Sequence, residues 1–434
     1  IGGGLAGAEA AWQIARRRID VRLYEMRPGT STPAHRTGLL GELVCSNSLK
    51  SDLPGTAPYI LKGELRRLNS LILRIADDTR IPAGHALAVD RDLFSRRLTE
   101  ELLSIPRIRV IREEVTRIPD SGIAIVATGP LTSEALSESI ARFAGSENLY
   151  FYDAISPIVD ADTLDFSKLF QASRYGKGGG DYLNAPFSRE EYLRFHEALA
   201  GAESVPLRPF ERPAYFEGCL PLEELARRGV DTLRFGPMKP TGLVDPRTGR
   251  RPYAAVQLRL ENLMADCYNL VGFQNHLRFS EQTRVFRMIP GLEKAEFLRY
   301  GQIHRNSYIN APRLLLATLQ SRKRPELFFA GQLCGVEGYV ESAATGLLAG
   351  INASRMALGL EPVVPPRETA CGSLACFVAS AGADDFQPAN ISFGLLPEVS
   401  ADLGRRVKDR RERRRLQIER AVRQMDLWVE TLGS

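Results

Sequence analysis

Cysteine, histidine and tryptophan are scarce in this chain, at six, five and two in 434 residues. Six cysteines (Cys45, Cys219, Cys267, Cys334, Cys371 and Cys376) are too few to staple a chain of this length with disulfides. Cys371 and Cys376 have four residues between them and no histidine nearby, so the pattern excludes a metal-type cluster. No apolar run approaches the roughly 18 to 20 residues that cross a bilayer as a helix. A charged start followed by an apolar stretch and a small-residue cleavage site is also missing, so the sequence predicts a cytoplasmic protein with no membrane contact. Neither sign of charge dominates, with 57 basic and 52 acidic residues for a net +5. Hydrophobic residues at 44% and charged residues at 25% are ordinary proportions, which excludes a disordered or fibrous chain. The length suggests two or three domains.

What is present begins at once. Gly2, Gly4 and Gly7 occupy the positions of a G-x-G-x-x-G turn, within Gly2-Gly3-Gly4-Leu5-Ala6-Gly7, and a helical pattern follows to about Arg18. Val21 to Glu25 then alternates like a strand and ends in an acid. In a dinucleotide-binding unit the first glycine makes the tight turn, the second lets the backbone approach the pyrophosphate, and the third lets helix and strand pack closely. The helix N-terminus offers unpaired N–H groups to phosphate, and Glu25 suits a ribose hydroxyl. A strand is expected before this turn; of it the chain holds only Ile1.

Residues 26 to 60 read as loop with short helical pieces. Asp90 is a natural N-cap for a helix reaching about Leu103, and Arg91 within it pairs with Asp92 or Glu100 or faces a cofactor. Ile123 to Ala127 is a buried-strand run that turns at Thr128 and Gly129. From about 151 to 290 the βαβ rhythm is lost. The expected division is therefore 1–150 as the first part of a nucleotide-binding domain, 151–290 as an inserted α+β substrate domain, and 291–434 as the second part. The glycine-rich stretch Gly176 to Gly180 lacks the ending of a P-loop and reads as a loop. The α/β pattern returns at Leu327 to Ala330, turns at Gly331 and Gln332, and continues into a helix from Tyr339 whose small residues suit close approach to a flat cofactor. Two separated segments of this kind fit one long dinucleotide, FAD better than NAD alone. No second full fingerprint exists for NADH or NADPH, so the nicotinamide is expected to bind transiently. From Arg405 to Arg423 the tail holds ten basic residues against three acidic ones, predicting a helix with a basic face. Such a face is either a solvated surface or a contact for the phosphates of a folded RNA.

Several segments together resemble the folate- and FAD-dependent tRNA (uracil-5-)-methyltransferase family, TrmFO, nearly end to end. They are the Gly2 to Gly7 turn, Glu42-Leu43-Val44-Cys45-Ser46-Asn47-Ser48, Phe216-Glu217-Gly218-Cys219-Leu220-Pro221, Asn306 to Asn310, Ala330-Gly331-Gln332 with Gly335 to Tyr339, and Phe386 to Gly394. The first is common to many flavoproteins, and the Ala-Gly-Gln piece is shared with the related GidA (MnmG) family. The two cysteine segments and Phe386 to Gly394 are the specific ones. GidA looks similar in its flavin domain but is longer.

The resemblance implies a glutathione-reductase-like FAD-binding Rossmann domain with an insertion. It implies methylation of C5 of the T-loop uridine (position 54) of tRNA. The carbon would come from 5,10-methylenetetrahydrofolate, and the electrons from NADH or NADPH through FAD. Its two functional cysteines map onto Cys45 and Cys219. Cys219 is the candidate nucleophile for uracil C6 and Cys45 its partner near the flavin, although the two roles can be exchanged. Gly331 and Gln332 would lie at the flavin ribityl and pyrophosphate, and Glu337 and Tyr339 against flavin or folate. Cys267, Cys334, Cys371 and Cys376 are expected to be structural. His35, His276 and His304 are pocket candidates without an assigned role. Three other readings stay open: a GidA-type wobble-uridine enzyme, a disulfide reductase, and a flavin-containing RNA-binding protein without turnover.

Overall fold

A computed structural model describes the chain except residues 33, 146–148, 177–179, 206–219, 385, 400–406, 408 and 434, with backbone alone at 149–155, 303–306 and 433. The first helix, Leu5–Arg16, starts directly on the glycine turn. It leads to the strand Val21–Tyr24, which pairs in parallel with Ile108–Ile111. A second parallel pair joins Ala124–Val126 to Leu327–Phe329, with paired residues 203 apart in the chain, Ala124↔Leu327 to Val126↔Phe329. Ile1 supplies one rung beside these strands, since its carbonyl accepts the Ala127 N–H at 2.8 Å.

The helix Tyr339–Ala357 packs on Leu5–Arg16 with backbones almost in contact. A Cβ on Gly346 would collide with the Ala6 carbonyl oxygen, and one on Gly350 would come within 2.8 Å of the Ala10 oxygen. At Gly346 and Gly350 the small residues of this helix thus serve helix–helix packing, a purpose beyond the cofactor approach that the sequence suggested. Residues 26 to 60, expected to be mostly loop, contain the strand Ser48–Ser51 and the start of the helix Ala57–Arg67. The strand is short and built of Ser-Leu-Lys-Ser, so neither composition nor alternation marks it.

Between these parts lies a six-stranded antiparallel sheet. Its order is Phe297–Arg299, Ile158–Asp160, Cys267–Leu270, Ala254–Leu260, Tyr182–Phe187, Phe170–Gln171. It has its own apolar core, built from residues between Val159 and Ala295. The other large core draws on residues from Leu5 to Ile140 and from Tyr308 to Trp428. The two meet where the Cys45 segment touches the sheet. Asn47 Nδ2 donates to the carbonyls of Val89 (3.1 Å) and Leu260 (2.9 Å). Among the described residues no helix is long and apolar enough to cross a membrane.

Candidate nucleotide cleft and cysteine site

The glycine turn is sterically tight at two of its three motif positions. Gly2 has φ +99°, and a Cβ there would lie 2.6 Å from the Ala127 oxygen. A Cβ on Gly7 would collide with the Gly2 carbonyl oxygen. Gly4 is different: a Cβ there would meet nothing within 4 Å. It is the N-cap of the first helix and no side chain caps it. Protein packing thus does not demand a glycine at this position, whereas a phosphate seated on the open N–H groups would. Leu5 and Ala6 bury their side chains in the core, so only their backbone faces this space. Gly129, φ +67°, likewise has nothing within 4 Å of a Cβ, and Thr128 Oγ1 bonds Thr132 Oγ1 at 2.6 Å.

Glu25 sits just past its strand. Its Oε1 accepts from Arg27 N (3.0 Å) and Nε (2.9 Å), and its Oε2 from Gly3 N (2.9 Å). Burial works against its charge, but the bonds and charge of Arg27 and the Gly3 N–H hold the carboxyl below its usual range. Each carboxylate oxygen takes two hydrogen bonds, so Oε2 keeps one acceptor site on the cleft lined by Gly2, Gly3, Gly4, Thr128 and Thr132. His35 lines the same cleft, and burial pushes it down to about 4, so it is neutral there near pH 7. The residues fit the adenosine and diphosphate half of FAD.

The second segment closes on the first. Gly331, φ +75°, would place a Cβ 3.0 Å from that of Ala6, and its N–H donates to Thr345 Oγ1 at 2.8 Å. Gln332 Nε2 donates to Glu337 Oε2 at 2.5 Å. Lys50 Nζ donates to the Glu337 carbonyl (3.0 Å) and Glu341 Oε1 (2.7 Å), and contacts Asn390 Oδ1. Tyr339 opens its helix with its hydroxyl on the Cys45 segment, 2.9 Å from Cys45 N, 3.3 Å from Ser46 N and 3.1 Å from Cys45 Sγ. The sequence-predicted Gly331, Gln332, Glu337, Tyr339 and Cys45 therefore form one continuous locus. Cys219 lies outside the described residues.

Three of the cysteines expected to be structural are held in their thiol form by burial. Burial pushes Cys267 and Cys334 up to about 12, and Cys371 well above the usual thiol range. Arg91 takes other partners than the expected Asp92 or Glu100: Glu261, 3.0 Å from Nε, and the Leu43 carbonyl, 2.7 Å from Nη1. Two further arginines were missed. Arg259 donates to Ser46 Oγ at 3.0 Å, and Arg299 stands within electrostatic reach of Cys45 and Tyr339. Both come from strands of the inserted sheet, far from Cys45 in sequence, and no local signal marks them.

The profile of the family described as glucose inhibited division protein A matches residues 1–361. A Koribacter versatilis protein called methylenetetrahydrofolate–tRNA-(uracil-5-)-methyltransferase TrmFO is 60% identical, over 99% of this chain and 97% of its own length. The Enterococcus faecalis protein of the same name is 58% identical over 95% of this chain and 94% of its own. The chain belongs to the TrmFO family. TrmFO relatives and this chain thus share nearly their whole length, including the segments that carry Cys45 and Cys219. Among solved structures, Aquifex aeolicus GidA superposes with a TM-score of 0.72 at 20% identity, over all of this chain and 73% of that one. This likeness shows that the chain shares the GidA fold.

Proposed function

We propose that this TrmFO-family enzyme methylates C5 of the T-loop uridine (position 54) of tRNA. It takes carbon from 5,10-methylenetetrahydrofolate and electrons from NADH or NADPH through FAD. The reading is carried by similarity to the Koribacter versatilis TrmFO along 97% of that protein. Bound FAD would supply the hydride that turns a methylene into a methyl group.

The residues suit the remaining steps. Uracil C5 is a poor nucleophile. A cysteine thiolate adding to C6 forms a C–S bond and pushes an electron pair onto the C4 oxygen, and the resulting enolate reacts at C5 with the folate methylene. Removal of the C5 proton expels tetrahydrofolate as its C–N bond breaks and leaves an exocyclic methylene, and conversion of that methylene to methyl lets the thiolate depart, which breaks the C–S bond and restores the ring. Cys219 is assigned the addition. Cys45, held against Tyr339, is its acid/base partner or guards the cofactor. Gly2, Gly3, Gly4, Leu5, Ala6, Gly7, Glu25, Thr128 and Gly129 bind the adenosine and phosphates. Gly331, Gln332, Glu337 and Tyr339 face the flavin half. The N-terminus of the Tyr339–Ala357 helix offers partial positive charge there.

The test supplies purified protein with NAD(P)H, labelled methylenetetrahydrofolate and unmodified tRNA, with and without S-adenosylmethionine. Label at the T-loop uridine that depends on folate alone is expected. Cys219→Ala and Cys45→Ala should each drop labelling to background while FAD remains bound. Near-normal labelling by either variant removes that cysteine from the chemistry. No transfer by protein carrying reducible FAD would redirect the reading to a GidA-type wobble-uridine reaction.

A further inference from the structure

The inserted sheet carries more buried positive charge toward Cys45 than its carboxylates balance. The sheet register places Tyr182, Arg259, Asn269 and Ile158 in one row, through Tyr182↔Arg259, Arg259↔Asn269 and Asn269↔Ile158, with Arg299 the next partner of Ile158. The register is regular as far as Ile158 and shifts between Phe297 and Arg299, so it places Arg299 beside the row, and the interaction of both arginines with Cys45 puts them on one locus. Both are nine-tenths buried, at 7% and 9% exposure. Arg91 reaches the same space from its helix. All three guanidinium groups interact electrostatically with Cys45.

The available counter-charge is small. Glu261 is engaged by Arg91 at 2.9 Å through Nη2. Among the described residues Arg259 Nε is buried without a hydrogen-bond partner, and the groups its guanidinium does meet, the Ser46 hydroxyl and the Tyr182 phenol, are neutral. Burial works against the charge of both sheet arginines, and it brings Arg299 down to about 10, which still leaves it cationic near pH 7. Arg36 adds a further positive charge within reach of Arg299, whereas His35, also within its reach, is held neutral near pH 7. Two phenols also interact with these arginines. Burial pushes Tyr182 upward and Tyr339 well above its ordinary value, so both stay neutral.

The hydrogen bonds at Sγ point the same way. The Tyr339 oxygen accepts N–H donors from Cys45 and Ser46, which occupies its two lone pairs. Its own hydrogen is then free for Sγ, 3.1 Å away, which makes the sulfur an acceptor. A thiolate is a far better acceptor than a thiol.

We propose that Cys45 rests as a thiolate, its proton released to solvent, held by the Tyr339 hydroxyl and counterbalanced by Arg259 and Arg299 with Arg91. The arginines are positioning residues, acting through the sulfur. The inference uses the assignment of Cys45 to the chemistry only for its purpose, and its test does not involve methyl transfer.

The experiment follows carbamidomethylation of Cys45 by iodoacetamide in the FAD-bound protein across pH, read peptide by peptide in a mass spectrometer. Attack of the thiolate on the methylene carbon expels iodide, so the rate follows the thiolate fraction. The expected midpoint lies below about 7, against about 8.5 for a free thiol. Arg259→Met, Arg299→Met and Tyr339→Phe should each move it upward, by about one pH unit or more for the arginines, while Arg259→Lys keeps most of the effect. Arg74→Met, on the surface beside Trp12, should leave it in place. A wild-type midpoint near that of a free thiol overturns the proposal without any variant. So does a low midpoint that survives both arginine substitutions in proteins that retain FAD.

Discussion

Lys62 is buried to its ammonium group, which donates to the carbonyls of Leu49 (2.9 Å), Lys50 (3.3 Å) and Ser51 (2.7 Å). It thereby fixes the strand that continues from Cys45. The nearest carboxylate, Asp52, stands 3.8 Å away, and burial lowers Lys62 to about 8. The ordinary lysine value is about 10.4, so between those limits the unfolded chain holds the proton and the folded one releases it. Stability from this residue is therefore present above about 10.4 and is lost as pH falls through about 8. The difference in unfolding free energy between wild type and Lys62→Met should rise in favour of wild type across that window. Near pH 8 the substitution should still cost about 2 kcal/mol, because three buried carbonyls lose their donor. A urea-denaturation series at several pH values checks both statements, and a pH-independent difference contradicts the first. Glycine positions, Glu25 and the Asp90 cap could be read from sequence because each answers a local geometric demand; Asp90 Oδ1 does accept the Leu93 N–H at 2.9 Å. Arg259, Arg299 and the Tyr339 contact with Cys45 could not, because their roles exist only after residues hundreds apart are folded together.

The crossing of Leu5–Arg16 with Tyr339–Ala357 shows how an element's type can be read from sequence while one of its purposes is not. A helix rich in small residues is evident from its composition. What the small residues admit, a carbonyl ridge of the first helix, depends on the partner. Gly346→Ala should force the two helices apart, at a cost of about 1 to 3 kcal/mol, and lower the melting temperature. The first helix carries the open N–H groups at Gly4, so FAD retention should fall too. Thermal unfolding with flavin absorbance measures both, and an unchanged melting temperature would show that the crossing is not tight. The antiparallel sheet was hidden for another reason. Its strand Ala254–Leu260 alternates apolar and polar residues from Val256 to Leu260, yet it is buried at six consecutive positions, Ala254 through Arg259, so its polar residues Gln257 and Arg259 do not mark a solvent face.

At the scale of the molecule, the cysteine locus lies where the inserted sheet meets the nucleotide-binding part, and a wall runs from there toward the basic helix. Glu337 N donates to the Ala389 carbonyl at 3.0 Å and Ile391 N to Glu341 Oε1 at 3.1 Å. The next residues, Ser392 and Phe393, line a cleft of about 640 Å³ with Thr56, Arg410, Arg413 and Arg414. The helix Arg410–Gly433 does not present all its charge freely. Arg415 is tied to Glu412 (2.8 Å) and Glu419 (2.5 Å), and Arg420 reaches the Glu398 carbonyl at 3.2 Å. Arg414 lies over the Phe393 ring, 4.9 Å from its centroid, with its charge toward the cleft. If a folded tRNA reaches the cysteine locus, its backbone passes this cleft, and each neutralised phosphate adds roughly 0.7 to 0.9 to the slope of log affinity against log salt. Replacing Arg410, Arg413 and Arg414 together by alanine should weaken tRNA binding about tenfold or more near physiological salt and flatten that slope by about two. Arg415→Ala, which removes an already paired surface charge, should change little. Filter binding of unmodified tRNA at four salt concentrations separates these outcomes. Equal slopes for the triple variant and wild type would place the backbone on another face of the molecule.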